Sequence, residues 1–280
     1  MLLCIDVGNT ETKLGAFDPS GTMVGTWRVT TARRRTADEY GVLFAAFFST
    51  ARFAIADVES IVVSSVVPVV DRPLGEGCEK YFGVRPSFFT AANQRSIVVK
   101  TDRPTEVGSD LVAGAIGAVS FVGAPAIAIN FGTASTFGAI DRDGAYVGVA
   151  IATGLQVSLD ALVGRTAKLP QVALVAPGSP IGRDTVTAIQ AGLVYGAVGQ
   201  TEELVRRMRA ILGDDARVIA SGGLAQVVAA ETSCIERVEP HLVLHGLRAD
   251  GVRAPLHDVT VQAILPCDIS ASAVMLGKNT

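Results

Sequence analysis

The chain has 280 residues, 49% of them hydrophobic, with 24 Lys and Arg against 27 Asp and Glu for a formal net charge of -3. That length can bury a large core in one big domain or two smaller ones, and the near-balance of charge gives no sign of a nucleic-acid or anionic-membrane partner. The longest weakly polar stretch, residues 115–139, holds Pro125, Asn130 and several glycines, and so reads as helix, turn and strand rather than a membrane span. Asp6 and Asn9 interrupt the N-terminal apolar segment before a secretory core could form, so a cytoplasmic protein is expected.

In chain order, Leu2 to Val7 reads as an apolar strand ending at Gly8-Asn9-Thr10 and resuming as Lys13 to Phe17. After the turn Asp18-Pro19-Ser20-Gly21 a further strand runs from Thr22 to Val29. Thr36 to Phe53 has helical periodicity with Thr36 or Asp38 as its cap, and Ile61 to Val66 reads as a buried strand. Alternating helices and strands predict an α/β architecture. Asp184 to Arg209 predicts a long helix, broken near Gly196 to Gly199; Arg217 to Ala220 predicts a strand running into Ser221-Gly222-Gly223; Val259 to Leu265 is a last strand candidate.

The opening module returns. Ile127 to Gly148 can be laid over Leu3 to Gly25 so that Asp6 meets Asn130, Gly8 meets Gly132 and Thr12 meets Thr136; after a one-residue deletion, Asp18 meets Asp141 and Gly21 meets Gly144. A duplication explains this match, with the boundary near residues 118–124.

Three glycine-rich turns follow apolar strands, at Gly8, Gly132 and Gly222-Gly223, where backbone N–H groups can approach phosphate oxygens. Thr10, Thr12, Thr133, Ser135 and Thr136 add hydroxyls, Lys13 can neutralise a phosphate, and Asp6 at a strand end can hold a magnesium ion through water. Cys4, Cys78, Cys234 and Cys267 match no zinc or redox spacing and are expected to be reduced, mostly buried thiols. His241 and His245 share a helical face, but no third ligand stands near them in sequence, which favours a structural or surface role.

Asp6-Val7-Gly8-Asn9-Thr10 with Lys13, Asn130-Phe131-Gly132-Thr133-Ala134, Gly154-Leu155, Thr166-Ala167-Lys168-Leu169-Pro170 and Ser221-Gly222-Gly223-Leu224-Ala225 resemble the successive motifs of type III pantothenate kinases, members of the superfamily of acetate and sugar kinases and actin. The resemblance extends through His241 to Leu247. It implies an α/β fold of two duplicated ribonuclease H-like (actin-like ATPase) domains, residues 1–120 and 121–280, with ATP and Mg2+ in the cleft between them and residues 251–280 as an uninterpreted extension. It also implies a homodimer that phosphorylates the primary hydroxyl of pantothenate or another small alcohol, the first committed step of coenzyme A synthesis.

The resemblance places nucleotide binding on Asp6, Gly8, Asn9, Thr10, Thr12, Lys13, Gly132, Thr133, Gly222 and Gly223, and the general base on Asp110 of Gly108-Ser109-Asp110. From the residues alone, Asp110 could equally cap a helix starting at Leu111. The same resemblance puts the acceptor against Thr101, Gly108, Ser109 and position 111, with Thr185 reaching it across the dimer. Three positions depart from the family pattern. Leu111 replaces an arginine that could pair with a carboxylate, and Thr101 replaces a tyrosine. Asn130 replaces an aspartate linked to a monovalent cation, keeping an oxygen ligand but losing the charge, which puts K+ dependence in doubt. These losses leave open a catalytically silent nucleotide-binding regulatory protein as the alternative, and an unrelated actin-like assembly protein as a third reading.

Overall fold

The computed structural model describes residues 1–253; the strand expected over Val259 to Leu265, and Cys267, lie outside them. β1 (Leu2–Val7), β2 (Glu11–Phe17) and β3 (Met23–Thr30) form an antiparallel meander. α1 (Ala37–Ala51), β4 (Ser60–Ser65), α2 (Pro68–Phe82) and β5 (Ser87–Phe89) then add two parallel strands, giving the order β3-β2-β1-β4-β5. After α3 (Ser109–Val122) the plan repeats with β6 (Ala126–Phe131), β7 (Ala134–Ile140), β8 (Tyr146–Thr153), α4 (Leu155–Gly164), α5 (Thr185–Leu212), β9 (Arg217–Ser221), α6 (Ala225–Ala229) and β10 (Arg237–Val238). The second sheet has the matching order β8-β7-β6-β9-β10, and α7 (Leu242–Arg253) follows it.

The ladders refine the internal alignment. Val7 pairs with Thr12 in the first sheet and Phe131 with Ser135 in the second, so Thr12 corresponds to Ser135 and not to Thr136. The deleted residue therefore lies in the first turn of the repeat, which closes from the Gly8 N–H to the Glu11 carbonyl in one copy and from the Gly132 N–H to the Ala134 carbonyl in the other. Past that point the copies stay in step: each has a register shift at the end of its second strand, between Ala16 and Phe17 and between Ala139 and Ile140.

Alternation along the central strands sorts their side chains into layers. Leu3, Ile5 and Val7 pack under α1 and α2 with Phe44, Phe48, Val70 and Leu74. Cys4 faces the other way, toward Val112 and Ile116 of α3 and Leu244 and Leu247 of α7, and Ala126 of β6 joins that same inner layer. Ile127, Ile129 and Phe131 face a third layer with Leu155, Leu159, Ile189 and Val198. Each of these large side chains contributes roughly 1.5–3 kcal/mol by leaving water. The order is helices, sheet, helices, sheet, helices, and Asp6 and Asn130, at even positions of β1 and β6, both face the shared inner layer.

The capping of α1 matches expectation: the Thr36 hydroxyl accepts from the Glu39 N–H at 3.3 Å and the Glu39 carboxylate accepts from the Thr36 N–H at 2.7 Å. The break expected in the long helix does not occur, since α5 runs unbroken from Thr185 to Leu212 with Asp184 as its N-cap. Interior glycines cost about 1 kcal/mol each in helix propensity. Burial of Val194, Val198, Thr201 and Val205 on the same helix offsets that cost. Cys4 and Cys78 are buried free thiols and Cys234 is half-buried, as expected for reduced cysteines. Among the described residues no helix is long and apolar enough to cross a membrane.

Candidate active site

The ends of β1, β6 and β9 converge on a cleft of about 640 Å³ whose lining includes Asp6, Gly8, Asn9, Thr10, Lys13, Asp110, Asn130, Gly132, Thr133, Gly222 and Gly223. That volume lies in the range of small-molecule sites. The three glycine turns, far apart in sequence, thus meet at one place. The amides of Gly8 and Gly132 are spent closing their own turns. The loop tips also carry hydroxyls, and those of Thr10 and Thr133 meet across the cleft at 2.8 Å. The third turn needs its glycine: Gly222 has φ of +96°, and a Cβ there would come to 2.7 Å from Asn130 Oδ1. Asn130 Oδ1 also accepts from the Ser221 hydroxyl at 3.3 Å, which fixes the amide between β6 and β9.

Two of the carboxylates that line the cleft, Asp6 and Asp110, act on one another. Asp6 is 8% exposed and stands opposite Lys13 in the β1–β2 ladder. Burial pushes its carboxyl up to about 7; Lys13 pulls against this and the nearby Asp110 adds to it. Asp110 lies in the first turn of α3 and is raised above the usual carboxylate range, chiefly by burial, while Oδ1 accepts from the Leu111 N–H at 2.9 Å. Gly108, at the N-cap, keeps space for that carboxyl, since a Cβ there would come to 2.7 Å from Asp110 Oδ1. The helix begins at Ser109, one turn position before Asp110, so Asp110 is an in-helix residue facing the cleft and not a cap ahead of Leu111.

Several expected residues do other work. The Thr12 hydroxyl is fully buried and bonded to that of Thr31 at 2.9 Å, one strand position beyond the loop tip. Ser109 Oγ accepts from Ser64 at 2.9 Å and donates to the Ser65 carbonyl at 3.2 Å, pinning α3 to the end of β4. Leu111 packs against the inner apolar layer. Thr185 stands apart, in a groove of about 600 Å³ between α4 and α5 with Leu162, Leu169, Ile189 and Leu193. Sequence reading missed Gln156 and Asp160, which line the cleft from α4. Their signal was faint: only Gly154-Leu155, at the end of β8, marks a helix starting at the cleft, and which face it presents depends on packing. His241 also lines the cleft, from the loop before α7; burial holds its imidazole below the usual value.

The donor set suits magnesium with a nucleotide. Among the described residues no group of three metal-ligating side chains exists, and Mg2+ characteristically takes one or two carboxylates with phosphate oxygens and water. Asp6, with Asp110 beside it, fits that requirement.

Two topologically equivalent sheets with phosphate-type turns facing one another define the class, a duplicated ribonuclease H-like fold of the actin-like ATPase type. Its solved neighbours carry the same architecture. The ethanolamine utilization protein EutJ from Carboxydothermus hydrogenoformans superposes with a TM-score of 0.52 at 12% identity, covering 89% of each chain. A protein assigned as 2-dehydro-3-deoxygalactonokinase from Sinorhizobium meliloti gives 0.53 at 15% identity, covering 93% of this chain and 99% of its own. Within the class, the sequence model of the type III pantothenate kinases matches residues 2–207. Curated type III pantothenate kinases are similar throughout: that of Exiguobacterium sibiricum is 44% identical over 89% of this chain and 97% of its own, and that of Myxococcus xanthus 43% over 89% and 96%. The chain belongs to the type III pantothenate kinase family.

Proposed function

We propose that this protein transfers the terminal phosphoryl group of ATP to the primary hydroxyl of pantothenate, or of another small alcohol in its place. The observation that carries this reading is the presence of Asp6, Lys13 and Asp110 in one cleft with three glycine turns. Phosphoryl transfer depends mainly on positioning and charge neutralisation, and those parts stand together here. Asp110 accepts the hydroxyl proton as the new P–O bond forms and ADP departs. Burial raises its carboxyl above the usual carboxylate range, which makes it a stronger proton acceptor than an exposed aspartate. Lys13 and the hydroxyls of Thr10 and Thr133 hold the phosphates, and Asp6 would hold a magnesium ion, which supplies further charge neutralisation when bound. A silent nucleotide-binding role would leave that arrangement unexplained.

A homodimer is part of the reading. Thr185 lies in an apolar groove away from the cleft, so it could reach an acceptor only from a second copy. The site of action is the cytoplasm.

The test is ADP release on adding pantothenate to protein and Mg·ATP. Turnover should appear only with the alcohol, and Asp110→Asn should lower kcat by roughly 10²–10⁴ while leaving ATP affinity intact. ATP turnover indifferent to any alcohol would overturn the reading.

A further inference from the structure

Two buried hydroxyls make no hydrogen bond among the described residues: that of Tyr146, which no motif marks, and that of Thr101, which the family resemblance sets against the acceptor. Tyr146 opens β8 and is 1% exposed. Residues 98–101 run beside it: the Tyr146 N–H donates to the Val98 carbonyl at 2.8 Å, the Lys100 N–H donates to the Tyr146 carbonyl at 2.8 Å, and Val99 bridges Tyr146 in parallel. Residues paired in this way share a face, and so does the residue two further along an extended segment. Val99 and Tyr146 are therefore on one side, Thr101 follows two residues on, and Tyr146 belongs to the apolar layer that holds Val112 and Ile116 of α3 and has Val107 and Leu111 packed against it.

Neither Tyr146 Oη nor Thr101 Oγ1 makes a hydrogen bond within the described residues, although both are buried. Asp110 is close enough for its charge, after burial, to help raise the phenol, which keeps Tyr146 protonated as a donor. An unpaired buried hydroxyl is costly, and two of them, one near a cleft carboxylate, mark a place made for a polar group from elsewhere. The wall is also neutral, with leucine at position 111.

We propose that Tyr146 is a specificity-determining residue for the acceptor, its phenol and the Thr101 hydroxyl together holding a neutral polar group of the alcohol, an amide or a second hydroxyl, beside Asp110. This rests on the kinase reading above. Tyr146 comes from the second sheet and Thr101 from the segment after the first, so the acceptor site is assembled from both copies of the repeat.

The experiment is Tyr146→Phe in the full chain, with pantothenate as the probe; KM for pantothenate, KM for ATP, kcat and Tm are all measured. The expected result is a pantothenate KM raised about tenfold, equivalent to the loss of about 1.4 kcal/mol. KM for ATP should stay within about twofold, and Tm should be unchanged or higher, because the free protein loses only an unpaired hydroxyl. Thr101→Val should act in the same direction on pantothenate KM. An unchanged pantothenate KM in Tyr146→Phe, or a fall in Tm with every kinetic constant worsened together, overturns the proposal. If the unsubstituted protein shows no alcohol-dependent ADP release, the kinase reading fails first and this one with it.

Discussion

The two copies of the strand-turn-strand module have the same geometry and different chemistry. In the first, the ladder sets Asp6 opposite Lys13; in the second, the equivalent register sets Asn130 opposite Thr136. The buried hydroxyl one position earlier is bonded in the first copy, Thr12 to Thr31, and has no partner among the described residues in the second, where it is Ser135. Duplication thus supplied two strand ends aimed at one cleft, and only one of them carries formal charge. The electrostatics favour that division. Asp6 already has its carboxyl pushed up to about 7, with Asp110 contributing. A carboxylate in place of Asn130 would raise these values further unless a cation were bound.

The largest effect should come from removing the charge of the first copy. Asp6→Asn is expected to lower kcat by at least about a hundredfold, a loss typical of removing one preorganised electrostatic group. Stability should move the other way. The folded protein holds a proton on Asp6 up to pH about 7, whereas the unfolded chain releases it near 3.8. The free wild type must therefore lose stability as pH rises from about 4 to about 7 and then level off. Asn lacks this slope, so urea midpoints at pH 8 should be equal or higher in the variant. A variant that loses fold and activity in parallel would show that Asp6 is a structural residue.

An intermediate effect is expected at Leu111, where the acceptor wall is neutral. Leu111→Arg would place a guanidinium against Val107, Val112 and Tyr146, with Asp110 as the nearby carboxylate. Burying a cation in such packing costs several kcal/mol unless it is well paired. Tm should fall by several degrees, and kcat/KM for the native acceptor should fall about tenfold. A lowered KM for pantothenate would mean instead that the arginine restored a missing contact to its carboxylate, and the neutral-wall reading would be wrong.

How far these features were legible depended on whether local chemistry or packing fixed them. Strand ends at Val7 and Phe131, the capping box at Thr36 and the glycine turns are local, and each was readable because the residue type determines the backbone around it. The repeat was legible too, but its gap was misplaced by a few residues, because only the hydrogen-bond ladder shows that the second turn is shorter. The unbroken α5 was hidden, since helix propensity counts its glycines and not the buried valines that compensate for them. Asp160 and Tyr146 were hidden for a related reason. Asp160 faces the cleft only through the placement of α4, and Tyr146 meets Val99 only because a segment far away in sequence pairs beside β8.

The smallest effect is expected in the second copy, and it tests whether that copy's neutrality matters. Asn130 keeps an oxygen toward the cleft, and Ser221 and Gly222 hold it there. With no carboxylate at that strand end and Thr136 rather than a lysine opposite, little attracts a monovalent cation, so wild-type turnover should be equal in potassium and sodium chloride at matched ionic strength. Asn130→Asp adds a partly buried carboxylate without adding its counter-charge. At low salt its pKa should rise and stability should fall by about 1 kcal/mol, since the ionised form lacks a partner. Potassium should then recover the loss by supplying that partner, and turnover, unchanged or slightly reduced in sodium, should rise about two- to threefold in potassium. A wild type that already depends on potassium would show that the neutral amide suffices to hold the cation, and the chemical difference between the two copies would be smaller than their sequences imply.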